Sequence, residues 1–303
     1  VKVAVLGECM VELSQQAEEQ FKLGFGGDTL NTAVYLCRCG GAADYFTVLG
    51  DDLYSESMLE AWQNEGVNVE HVKIKKGQLP GLYIINNDDT GERYFNYWRQ
   101  NSPVRSMLTD FPEVLDEILE YEVIFLSGIT LSLFPHDDLI ALFDCLKTYR
   151  KNGGQVVFDN NYRARNWMDV SSAIDVFTKM MTVTDIALIS FDDEKSLYGQ
   201  HSVDECIDRW ADAGVKEVVV KNGHHGCHLY KDKQRFFYPL KSILTPVDTT
   251  AAGDSFNGAY LAAKLQGKSV GDCISAGQQC ASTVIMHKGA IIDKEIALTS
   301  GGL

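Results

Sequence analysis

The stretch DTTAAGDSFNGAYLA (Asp248–Ala262) sets an aspartate, Asp254, directly behind three small residues, Ala251, Ala252 and Gly253, at the head of an apolar helical pattern. Small side chains let a ligand approach the backbone, and the free N–H groups and positive dipole end of a helix N-terminus then face it. A carboxylate beside those donors can take a proton from an alcohol while the amides hold charge developing on a phosphoryl group. Taken alone, an ordinary helix cap is the commoner reason for such an aspartate. A second stretch, GFGGDTLNTAVYLCRCGG (24–41), places Gly26 and Gly27 ahead of a helix whose first turns carry Asp28 and Asn31. Two polar side chains beside bare backbone suit a ligand with several hydroxyls, and a glycine turn capped by Asp28 accounts for the same residues. This loop has neither the GK[ST] of a Walker A sequence nor a GxGxxG pattern, which the first-strand turn VLGECMVEL also lacks.

Three further groups could carry chemistry. VVVKNGHHGC (218–227) ends a buried strand in Lys221 and enters a turn with Gly223 and Gly226, a place where a nucleotide could lie. Its His224, His225, Cys227 and His228 lack zinc-site spacing and read as a solvated turn, the adjacent histidines pointing in different directions. FDNNYRARNW (158–167) sets Asp159, Asn160, Asn161, Arg163 and Arg165 after a strand, either at a ligand-binding sheet edge or as an Asx-rich turn with surface arginines. In YFNYWRQ, Tyr97 and Arg99 lie two apart on one strand face, with Tyr83 opposite. This is a set for binding a carboxylate, or a packing hairpin with an exposed arginine.

The elements that must position these residues alternate. Near-continuous apolar runs at 2–7, 43–50, 123–129, 155–161, 186–190 and 217–223 read as parallel strands buried on both faces. VKVAVLGECMVEL reads as a strand. Helical patterns fall at 29–40, 55–66, 136–154, 254–266 and 270–287, the third with acids first and bases last. The alternation predicts an α/β fold, a mostly parallel sheet with helices on both faces. The segment 81–100 is aromatic and alternating, with a turn at Asp88–Gly91; it predicts a β-hairpin outside the main sheet, a lid or an oligomer contact.

Composition narrows the partners. The 303 residues carry a net charge of −15, which disfavours nucleic acid and anionic membranes and leaves a small anion needing local donors. The eight cysteines, at 9, 37, 39, 145, 206, 227, 273 and 280, include no CxxC pair and read as reduced thiols of a cytoplasmic protein. No apolar run is long enough to span a bilayer, and the first residues lack the layout of a signal peptide.

GGDTLNTAVYLCRCGG and DTTAAGDSFNGAYLA, in that order and separation, resemble the two signature segments of the ribokinase-like (PfkB) carbohydrate kinases, over a span from Val3 to about Asp293. Further segments, GECMVELS, LPGLYIINNDDTGERYFNYWR, FLSGITL, VVFDNNYRARNW, GVKEVVVKNG and IDKEIAL preceded by KGAI, are similar to members acting on a 2-keto-3-deoxy sugar acid. The resemblance implies one ribokinase-like kinase domain over 1–303, with a small β lid from about 9–24 and 68–100, ATP and Mg²⁺ as cofactors and a sugar acid as substrate; the aromatic outer face of the hairpin points to a homo-oligomer. It makes Asp254 the catalytic base and the backbone of Ala251, Ala252 and Gly253 the anion hole. Gly26, Gly27, Asp28, Asn31, Tyr83, Tyr97, Arg99 and Ile129 would line the sugar site, with Arg163 between sugar acid and phosphates. Asn161, Ser190, Lys221, Gly223 and Gly226 would serve the nucleotide, and Glu194 would act on magnesium through water. Two positions depart from the family pattern: Ala251 stands where relatives often carry glycine, and Phe191 where many carry asparagine. A monovalent-cation site near Asp248 and Thr250 stays open, as do a fructokinase-like or nucleoside kinase and a non-catalytic sugar-binding protein. An intact Gly253 and Asp254 speak against the last.

Overall fold

The computed structural model describes residues 1–17, 19–87 and 93–298; the turn expected at Asp88–Gly91 lies outside them. The strands are β1 (Val3–Leu6), β2 (Met10–Ala17), β3 (Gln20–Gly26), β4 (Ala43–Phe46), β5 (Val48–Leu49), β6 (Lys73–Ile74) and β7 (Leu82–Asn87), then β8 (Arg93–Trp98), β9 (Val123–Ser127), β10 (Gln155–Asp159), β11 (Ile186–Ser190), β12 (Glu217–Lys221), β13 (Cys227–Lys231) and β14 (Gln234–Tyr238). Eight form the main sheet in the order β14-β13-β12-β11-β10-β9-β1-β4. From β4 to β12 the pairing is parallel, and β13 and β14 add an antiparallel edge.

Apolar residues on both sides of these strands explain why the sheet lies between two helical layers. In β1, Ala4 and Leu6 enter one core while Val3 and Val5 enter the other, as period-two alternation requires. The first core takes helices 136–151, 170–182, 191–198 and 203–212; the second takes 28–38, 53–64, 252–265 and 270–284. The expected mostly parallel α/β sheet with helices on both faces is therefore the fold found.

Three local expectations change. VKVAVLGECMVEL is two strands: β1 ends at Leu6, and β2 starts at Met10 in a second sheet of order β3-β2-β7-β8. The run 43–50 breaks at Thr47, where the chain leaves the edge of the main sheet so that β5 can pair with β6. Asp28 is not a cap: Gly27 holds that position in extended conformation, and Asp28 is the first helical residue.

The second sheet contains the expected hairpin, with Tyr83 directly opposite Tyr97. Its register separates two faces. Glu12, Tyr83 and Tyr97 share the inner one, while Phe25, Val11, Leu82 and Trp98 form a row across the outer one.

Candidate active site

The carboxyl edge of the parallel strands delivers the site. β10 ends at Asp159 with Asn161 beyond it, β11 ends at Ser190 and β12 ends at Lys221, where an open α/β sheet binds its ligands. Helices 28–38 and 252–265 bring their N-termini to the same edge. A cavity of about 600 Å³ results. Lining it are Gly26, Gly27, Asp28, Asn31, Tyr83, Tyr97, Arg99, Ile129, Asn161, Arg163, Ser190, Lys221, Ala251, Ala252, Gly253 and Asp254, residues the sequence scatters over more than 220 positions.

Asparagine amides hold three of its carboxylates. Asn31 Nδ2 donates to Asp254 Oδ2 at 2.9 Å, Asn161 Nδ2 to Asp28 Oδ2 at 2.7 Å and Asn257 Nδ2 to Asp159 Oδ2 at 2.7 Å. Lys221 Nζ bonds Asn257 Oδ1 at 2.9 Å and lies 3.5 Å from Asp159 Oδ1. Withdrawal from water pushes Asp254 up to about 8, the charges of Asp28 and Asp159 adding to the effect while Asn31 and Lys221 oppose it. Burial raises Asp28 as well.

Asp254 sits at the third position of helix 252–265. The cap position belongs to Ala251, which has no side-chain cap bond. Ala251 adopts φ 59°, ψ 17°, the left-handed region that costs a residue with a Cβ about 1–2 kcal/mol. Ala252 N–H donates to Thr249 O at 3.2 Å. Among the described residues, the N–H groups of Ala251, Gly253 and Asp254 have no acceptor, so the helix start presents free donors beside a carboxylate.

Gly27 is required by crowding. A Cβ there would lie 2.0 Å from Glu8 O, so no other residue lets β1's exit loop cross the start of helix 28–38. Glu8 lines the cavity and is ion-paired with Arg99; Tyr83 hydroxyl donates to Glu12. Arg163 Nη1 donates to Asp193 at 3.0 Å, and Arg165 lies over the Tyr97 ring at 3.9 Å. Asp248 accepts from Thr250 N at 3.0 Å, Thr250 Oγ1 at 2.6 Å and Gly289 N at 2.7 Å.

Several expected residues stand elsewhere. Gly223 and Gly226, at φ 51° and 93°, form the turn after β12 without lining the cavity. Glu194 is fully buried and does not reach the cavity, because Arg209 holds its carboxylate at 2.7 Å and Trp210 Nε1 at 3.3 Å. The exposed His224 and His225 rings face each other at 3.9 Å instead of diverging. Glu8, Glu12, Asp193 and Asn257 escaped the sequence reading. Two glutamates four apart in an otherwise apolar VLGECMVEL were the available signal for the first pair.

Comparison with known proteins agrees with this geometry. The model for the pfkB family carbohydrate kinases matches residues 1–297. The 2-dehydro-3-deoxygluconokinase of Escherichia coli K12 is 42% identical over 304 residues, covering 97% of this chain and 98% of that protein. Among solved structures, a putative ribokinase II from E. coli in its apo form superposes with a TM-score of 0.84 at 21% identity, covering 95% of this chain and 94% of that one. The 2-dehydro-3-deoxygluconokinase of Thermotoga maritima gives 0.82 at 22% identity, covering 96% and 95%. With a sheet-edge cavity, free helix N-terminal donors and Asp254 among them, the chain belongs to the pfkB family and is a carbohydrate kinase.

Proposed function

We propose that this kinase transfers the γ-phosphoryl group of ATP to the 6-hydroxyl of 2-keto-3-deoxygluconate, giving 2-keto-3-deoxy-6-phosphogluconate and ADP. The observation that carries this reading is one cavity uniting a carboxylate that burial pushes up to about 8, a helix N-terminus with free donors and arginines suited to a sugar acid. The name of the E. coli relative supports the same substrate.

Ionised Asp254 takes the proton from O6 as that oxygen attacks the γ-phosphorus and the bond to ADP breaks. Asn31 steadies the carboxylate by its 2.9 Å bond. The backbone of Ala251, Ala252 and Gly253 faces the charge on the transferring phosphoryl group, Ala252 sharing its N–H with Thr249. Gly26, Gly27, Asp28 and Asn31 receive the sugar hydroxyls, Ile129 borders them, and Tyr83, Tyr97 and Arg99 close over them. Arg163 sits between sugar acid and phosphates. Asn161, Ser190 and Lys221 serve the nucleotide, with Gly223 and Gly226 shaping the adjoining turn. Magnesium would neutralise phosphate charge when bound; Asp159 and Asp193, whose carboxylates line the cavity, would hold such a hard cation, whereas Glu194 lies outside the cavity lining.

The sheet β3-β2-β7-β8 acts as the lid, excluding water that would otherwise hydrolyse ATP. Phe21, Leu23, Tyr94 and Trp98 stay exposed on its outer face, which supports a homo-oligomer formed there. The eight free cysteines suit the reducing cytoplasm. No helix of the described residues is long and apolar enough to cross a membrane.

ADP release with Mg-ATP, measured against 2-keto-3-deoxygluconate, fructose, ribose and adenosine, tests the substrate. The sugar acid should give the highest kcat/KM. A fructose or adenosine value well above it refutes the assignment.

A further inference from the structure

Away from the active site, three side chains of metal-binding type converge. Glu194 lies in the first turn of helix 191–198, His201 in the link that follows and Cys206 in helix 203–212. One ligand atom of each lies within 4.8 Å of the other two. Among the described residues no other three His, Cys, Asp or Glu side chains converge so closely. Glu194 and Cys206 are fully buried, and none of the three lines the active-site cavity.

The bonds around them leave coordinating lone pairs bare. His201 Nδ1 lies 2.6 Å from Gly199 O. A carbonyl only accepts, so Nδ1 carries the proton and Nε2 the free lone pair. Nε2 is buried and has no partner. Phe191 packs edge-to-face on the ring, with centroids 5.5 Å apart, and fixes its orientation. A histidine that ligates a metal through one nitrogen almost always donates its other N–H in this way. Arg209 Nη1 donates to Glu194 Oε1 at 2.7 Å, and Oε2 has a long, 3.4 Å contact from Trp210 Nε1. The Cys206 thiol donates to the same carboxylate, so a proton stands where two ligands of an ion would meet. The Tyr198 hydroxyl, also buried without a partner, is near enough to feel the charges of Glu194 and Cys206.

We propose that Glu194, His201 and Cys206 form a structural zinc site, separate from the magnesium of phosphoryl transfer. Thiolate, imidazole and carboxylate together suit a tetrahedral Zn²⁺, whereas Mg²⁺ takes oxygen ligands. As Zn²⁺ binds Cys206 Sγ, His201 Nε2 and Glu194 Oε2, the S–H bond breaks and its proton leaves for solvent. Thiolate and carboxylate balance the two charges of the ion, and the Tyr198 hydroxyl or a water completes the four ligands. The ion ties helix 191–198, which carries Asp193 to the active-site cavity, to helix 203–212. The site does not depend on which sugar is the substrate.

X-ray absorption at the zinc edge, on full-length wild type loaded with one equivalent of Zn²⁺, tests this without a variant. One sulfur at about 2.3 Å and nitrogen or oxygen at about 2.0–2.2 Å are expected. Zinc without a sulfur neighbour overturns the proposal. Metal-free wild type should bind one Zn²⁺ per chain and melt at a higher temperature with it. Cys206→Ser and His201→Gln should each weaken zinc binding by more than the about 10–100-fold that loss of an outer partner costs. Cys145→Ser, which removes a thiol elsewhere, should bind zinc as wild type does. A wild type that takes up no zinc, or wild-type affinity in Cys206→Ser, overturns the site and leaves the kinase reaction standing.

Discussion

In the proposed mechanism Asp254 is the residue on which the chemistry turns, and its titration makes that role measurable. Burial and the neighbouring Asp28 and Asp159 push it up to about 8, so much of it is protonated at neutral pH in the free enzyme. A base works ionised, so kcat/KM for the sugar should rise with pH toward 8 and level off above it, reporting the Asp28–Asp254 pair together. Replacing Asp28 by asparagine removes a negative neighbour and should move that rise to lower pH; a rise that stays in place contradicts the electrostatic account. Linkage gives the matching stability effect. A carboxyl raised above its unfolded value leaves the folded state most favoured below that value, and stability falls as pH climbs through the folded one. Asp254→Asn should therefore raise the melting temperature more at pH 8 than at pH 4. Ala251 is the other unusual residue. It stands where relatives often carry glycine and adopts the left-handed conformation, at φ 59°. Ala251→Gly should stabilise the protein by about 1 kcal/mol in denaturant titration while leaving the anion hole in place.

Among elements, the contact between helices 28–38 and 252–265 matters most, since one carries Asn31 and the other Asp254. Gly258 sets their spacing: an added Cβ would lie 2.7 Å from both Leu36 N and Thr32 O. These are backbone atoms, so Gly258→Ala must part the helices. It should cost about 1–3 kcal/mol of stability and lower kcat by stretching the Asn31–Asp254 bond; wild-type turnover would show that the spacing does not control the site. The main strands and these two helices were legible because apolar period and turn residues agree along them. β2 was not legible from its own residues, because Glu8 and Glu12 look like faults in an apolar strand until the chain is seen leaving the sheet; only the resemblance put a β lid over about 9–24. Helices 170–182, 191–198 and 203–212 and the β13–β14 edge went unread, although Ser202 and Glu205 form a capping box at the head of the last helix. The burial of Glu194 away from the cavity was not legible for a related reason. The residue's role came from the resemblance alone, at a place where Phe191 already departs from the family pattern, and the partner that binds it, Arg209, lies in a later helix whose packing no local pattern reveals.

On the scale of the whole molecule, a strongly acidic protein concentrates arginine at one mouth and leaves one outer sheet face apolar. Tyr94 and Trp98 on that face are 50% and 54% exposed. Light scattering should report an oligomer that Trp98→Asp weakens; a monomeric wild type would remove the outer face as an interface. The central claim is that the cavity performs phosphoryl transfer with Asp254 as its base. Single-turnover phosphorylation of 2-keto-3-deoxygluconate by Asp254→Asn, with ATP affinity measured alongside, tests it most directly. The account predicts a loss of about 10²–10⁴-fold or more in the transfer rate with nucleotide binding preserved. A rate within about tenfold of wild type, less than general-base catalysis contributes, would contradict it.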